Sequence, residues 1–186
     1  MKEEFLYKLT LLWHYLNSPE FLNEFFNNRF YLILIVIVLI HLKGASYRSL
    51  ILCALINIPG TLLHELMHFL IGLIFNAKPR NFTVVPHRDD SGGYVMGSVG
   101  FANITFYNAV PSALAPLLLL PIGFYVNRYM LPMIDATFIN YALYILLQTV
   151  IIENAIPSRT DFKVAGMYFS GVCLYVALAA LFVFML

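Results

Sequence analysis

Residues 50–75, LILCALINIPGTLLHELMHFLIGLIF, decide how this chain reads. As a helix rising 1.5 Å per residue, a run of that length exceeds a bilayer core of ~30 Å, so it must tilt or bend. Pro59-Gly60 supplies the bend one turn before His64. Inside the apolar run stand His64-Glu65-Leu66-Met67-His68, an HExxH pattern. Helical residues four apart lie one above the other, so His64 and His68 present two imidazoles that can grip one metal ion, with Glu65 beside them and off the ligand line. In zinc hydrolases of this pattern the glutamate is the general base and not a ligand. A structural alternative has the two histidines satisfied by neighbouring carbonyls, with Glu65 as counter-ion. Burying three ionisable groups among leucines is costly, however, and such residues inside a membrane mark functional sites by default.

The rest of the chain sets the solvent around this helix. Of its 186 residues 61% are hydrophobic and 11% charged, outside the usual range of a soluble domain, and the apolar runs reach spanning length. This predicts an all-α polytopic membrane protein, with lipid as its first partner. A net charge of +1 leaves no basic patch to neutralise phosphates, which excludes a nucleic-acid partner. Cys53 and Cys173 lie singly in apolar segments and read as packing residues, not as a disulfide or a CxxC metal site. The spans and their connections are expected to use nearly the whole length.

Upstream of the HExxH helix, residues 1–29 form a first segment. Phe5, Leu9, Leu12, Trp13 and Leu16 recur at helical spacing, predicting an amphipathic helix in the membrane interface, and Ser18-Pro19 starts another. Span one, about Phe30 to Leu42, opens the membrane core of residues 30–186, and Lys43 to Arg48 make a short polar turn into span two. Downstream, residues 77–107 are rich in β-branched and aromatic residues around the turn cluster Arg88 to Gly93, which reads as a β-hairpin with His87 solvated beside the turn. Gly97 and Gly100 weaken its second strand and would let another backbone, such as an extended substrate, approach. Span three, about Ala109 to Met130, is expected to start irregularly because of Pro111, Pro116 and Pro121. Span four covers about Ala136 to Glu153 and span five about Val164 to Leu186, separated by the polar stretch Glu153-Asn154-Ala155-Ile156-Pro157-Ser158-Arg159-Thr160-Asp161. That stretch reads either as part of the site or as a capped turn with Asp161 as N-cap of span five. The architecture is thus about five transmembrane helices with a small hairpin inserted after the HExxH helix.

HELMH in an apolar helix, a hairpin after it, and an Asn-x-x-Pro followed by Asp before a late span resemble the site-2 protease family of intramembrane zinc metalloproteases. The resemblance covers about residues 49 to 180. It implies one zinc ion per chain, transmembrane proteins as substrates, and cleavage in or near their membrane segments. It also implies roles: His64, His68 and Asp161 as metal ligands, Glu65 as the catalytic base, and Asn154 as the asparagine of the distal motif, placed to hydrogen-bond substrate backbone or the developing oxyanion. Ala115-Pro116-Leu117 is similar to the family's small-Gly-Pro-Leu stretch with Ala115 in place of glycine. Phe162 stands where the family usually has glycine, and Asp161 follows Pro157 by one residue fewer than in the commonest form.

Two other functions fit an intramembrane histidine pair. A metal-ion transporter would place ligands along the depth of its path, whereas spans one, three and five lack carboxylates. A catalytically inactive metal-binding scaffold would not need an intact HExxH. Orientation follows from charge: Arg29, Lys78, Arg80, Arg88, Arg159 and Lys163 fall on the side of residues 76–107, against Lys43, Arg48 and Arg128 opposite. That side is expected to be cytoplasmic, with the active site opening towards it.

Overall fold

A computed structural model of the chain describes residues 2–27, 38–39, 41, 43–44, 49–88, 94–135 and 137–185. Span one falls almost wholly outside the described residues, as do residues 89–93 of the expected turn. The described chain is mostly helical with two small antiparallel strand pairs. Its N-terminal segment forms helices α1, Lys2–Leu16, and α2, Pro19–Asn27, with the Ser18 hydroxyl accepting from the Phe21 N–H at the start of α2.

Leu50–Ile74 is one continuous helix, α3, that runs through Pro59. At its start the Ser49 hydroxyl accepts from the Leu52 N–H, filling one of the orphan donors of a helix N-terminus. At its end Asn76 takes a left-handed φ of 56°, the Asn76 N–H reaches the Leu73 carbonyl and the Ala77 N–H reaches that of Gly72. This is a Schellman stop, for which asparagine is the usual substitute for glycine. With Lys78 also left-handed, at φ 51°, the chain reverses.

The hairpin that follows therefore folds back along α3. Strand β1, Pro79–Thr83, pairs with β4, Ser98–Phe101, in the register Pro79↔Phe101, broken by a bulge at left-handed Asn81. The same ribbon continues as β2, His87–Arg88, paired with β3, Tyr94–Val95. Phe101 packs on Gly72, while Gly97 packs on Thr61 and Glu65, so the strands descend the helix by roughly 10–16 Å between these contacts. A hairpin was expected after α3; its direction was not.

The segment expected as span three is broken, as its prolines require: α4, Ala109–Ala113, a 3-10 turn over Ala115–Leu118, and α5, Leu119–Met130. The segment expected as span four forms α6, Phe138–Glu153, and Leu119, Ile151 and Ala155 form a buried cluster against Leu63 and Met67 of α3. Span five differs from expectation. The polar stretch starts a separate short helix, α7, Arg159–Ala165, and the apolar α8, Phe169–Met185, leaves it at 92°. Gly171 holds α8 against the Phe106 carbonyl, where a methyl group would overlap the oxygen, and the Tyr175 hydroxyl donates to the Tyr107 carbonyl at 2.6 Å.

Among the described residues one helix, Ile51–Ile74, is long and apolar enough to cross a membrane, or two if the bent α7–α8 pair counts as one span. Helix α6, with 16 residues, rises only about 24 Å. Lys43, expected across the membrane from the end of span four, forms an ion pair with Glu153, the last residue of α6. That pair ties it to the residue next to Asn154.

Candidate metal centre

The centre is built from three stretches far apart in sequence: α3, the end of α4, and the link from α6 into α7. His64 and His68, one helical turn apart on α3, have ring centroids 4.9 Å apart and nearly perpendicular planes. Backbone carbonyls fix both rings. The Asn154 carbonyl lies 2.8 Å from His64 Nδ1, and the Ser112 carbonyl 2.8 Å from His68 Nδ1. A carbonyl only accepts, so each Nδ1 carries the proton, and in the neutral ring each Nε2 is left with a bare lone pair. The structural alternative, two histidines satisfied by carbonyls, is thus met on one side of each ring only.

The other sides converge. His64 Nε2 and His68 Nε2 are 3.2 Å apart, and the Asp161 carboxylate faces both, with Oδ2 3.5 Å from His64 Nε2 and Oδ1 3.3 Å from His68 Nε2. Two lone pairs and a carboxylate at such distances repel unless a cation or a shared proton sits among them. His64, His68 and Asp161 can hold one metal ion: a ligand atom from each lies within 4.8 Å of the other two. The donor set, two imidazoles and a carboxylate, is one that divalent transition metals accept, and each imidazole already has the hydrogen-bonded outer partner that metal-ligating histidines use.

Local sequence explains how Asp161 gets there. Ser158 is the N-cap of α7: its hydroxyl accepts from the Asp161 N–H at 3.2 Å, while Asp161 Oδ2 accepts from the Ser158 N–H at 2.6 Å. This is a capping box, so Asp161 is the third residue of the helix and not its N-cap as the alternative reading had it. The box aims the carboxylate back over the helix start, towards α3.

Glu65 is buried beside the histidines, its Cγ against the Gly97 backbone, where an added Cβ would come within 3.0 Å. It borders a cavity of about 280 Å³ shared with His64, Thr61, Asn57, Val95 and Asn154. Asn154 reaches the centre by its backbone carbonyl, while its side-chain amide donates to the Val150 carbonyl at 2.8 Å. Glu153 pairs with Lys43 and does not join the cluster. His87 is exposed and bonded locally to the Val85 carbonyl. Sequence reasoning named His64, Glu65, His68 and Asp161, and the structure brings them together. It missed the carbonyls of Ser112 and Asn154, because a backbone acceptor has no residue signature. The Ser158-x-x-Asp161 box was legible as a capping pattern. No protein-family model, curated protein or solved structure matches this chain.

Proposed function

We propose that the protein is a zinc-dependent intramembrane endopeptidase that hydrolyses peptide bonds in or near the transmembrane segments of other proteins. The observation that carries the reading is the spacing of the three donors. Zinc bonds of 2.0–2.2 Å put neighbouring tetrahedral ligands roughly 3.3–3.6 Å apart; here the two Nε2 atoms are 3.2 Å apart, and the Asp161 carboxylate turns a different oxygen to each, Oδ2 at 3.5 Å from His64 Nε2 and Oδ1 at 3.3 Å from His68 Nε2. Three protein ligands leave a fourth position free, the arrangement of catalytic rather than structural zinc sites. Ligands gathered at one depth favour hydrolysis over transport, which needs a succession of sites.

A zinc ion held there supplies a Lewis acid for water and for the scissile carbonyl. Glu65 is the catalytic residue: it accepts a proton from the attacking water and returns it to the leaving amide nitrogen as the C–N bond breaks. Ser112 and Asn154 hold the two imidazoles in the ligand tautomer, and the capping box holds Asp161. A substrate helix must unwind before cleavage, because an intact helix ties each carbonyl into its own ladder. The proposal includes a polytopic chain of about five spans whose site opens to the cytoplasm.

Cleavage of single-span reporter proteins by the purified chain in detergent tests this. Glu65→Gln is expected to lower turnover at least ~100-fold, in keeping with the loss of a general base, while retaining zinc. Near wild-type cleavage by that variant, or a wild type without metal, would end the protease reading.

A further inference from the structure

The proline-glycine step ahead of the HExxH motif sits inside the continuous helix α3 and sets a close contact there. Gly60 is buried on α3, one turn before His64, and faces the side chain of Asn154 at the end of α6. A Cβ at residue 60 would lie 2.5 Å from Asn154 Cγ and 2.7 Å from Oδ1, and closer still to Nδ2. The Asn154 amide is also tied to its own helix by the bond to Val150. It cannot swing aside without breaking that bond, so a side chain at residue 60 would push residue 154 bodily away from α3. The same residue's carbonyl is what holds His64 Nδ1, at 2.8 Å.

We infer that Gly60 is a positioning residue of the metal centre: its bare backbone lets Asn154 seat against α3, and the seated Asn154 carbonyl holds His64 with Nε2 free for the metal. The inference rests on the metal-binding part of the proposed function and needs nothing from hydrolysis. An ordinary packing role makes a different prediction. Alanine is the better helix former in a helix interior, so without the contact to Asn154 the change Gly60→Ala would be neutral or favourable.

The test is zinc affinity of the full chain in detergent, measured by competition with a chromophoric chelator. Gly60→Ala is expected to weaken binding at least ~10-fold, the cost typical of losing an outer partner of a ligating histidine. Asn154→Ala keeps the backbone carbonyl and serves as the reference for the double variant, which, with room restored, is expected to bind within ~3-fold of Asn154→Ala and more tightly than Gly60→Ala. Wild-type affinity in Gly60→Ala, or a double variant as weak as Gly60→Ala, would overturn the inference. Ring ¹⁵N shifts of His64 in the metal-free protein give a readout independent of zinc. They should show Nδ1–H in wild type and double variant, and a mixture of tautomers in Gly60→Ala; the same pure Nδ1–H pattern in all three would also overturn it. A wild type that takes up no zinc would instead sink the proposed function, and the tautomer comparison would then decide the role of Gly60.

Discussion

Asp161 belongs to two structures at once, the start of α7 and the metal centre, and its bonds say how the two are linked. Oδ2 accepts from the Ser158 N–H, so the carboxylate is aimed before any metal arrives, and little is lost in ordering it on binding. We expect Asp161→Ala to weaken zinc binding at least ~10-fold and to remove cleavage, whereas Asp135→Ala, at the far end of α6, changes neither. A chelator titration on both variants checks this; unchanged affinity in Asp161→Ala would give the third ligand to another group. The residue was named from sequence as a ligand, and its alternative role as a cap was close. The spacing Ser158-x-x-Asp161 makes it the third residue of a capping box, which serves both roles.

At the scale of elements, α3 and the hairpin were readable for different reasons. The helix showed itself by its apolar length and the four-residue histidine spacing, and the hairpin by a change to β-branched and aromatic residues. The return of the ribbon along α3 was hidden, because it depends on left-handed φ values at Asn76 and Lys78. Asn76 offered a hint, since asparagine tolerates that conformation, but Lys78 offered none. The break in span five was hidden too: Met167, Tyr168 and Phe169 are apolar, so composition runs on where the backbone turns by 92°. Because the hairpin returns, its base and not its tip marks the C-terminal end of α3, and topology is best read at exposed Arg80. A cysteine replacing Arg80, with Cys53 and Cys173 changed to alanine, is expected to resist an impermeant thiol reagent in intact cells and to react once they are opened. Labelling from outside would reverse the proposed orientation.

Across the whole molecule, the centre depends on contacts that span 44 residues, from His68 to Ser112, and 90 residues, from His64 to Asn154. Ligand identities were legible because chemistry restricts them to a few residue types. The carbonyls that orient the rings were not, since any residue could supply them and only the packing of α3 against α4 and the α6–α7 link selects which do. The five-span expectation rested on hydropathy alone, and the described helices after α3 are short or broken because prolines and a capped turn interrupt them. The proposed function turns on a single ion that His64, His68 and Asp161 would hold together. X-ray absorption at the zinc edge of the purified chain measures it most directly. The expected result is about one zinc per chain, in a four-coordinate shell of two imidazole nitrogens and oxygen donors at about 2.0–2.2 Å, lost in His64→Ala. A sulfur ligand near 2.3 Å, or a shell unchanged in His64→Ala, would contradict it.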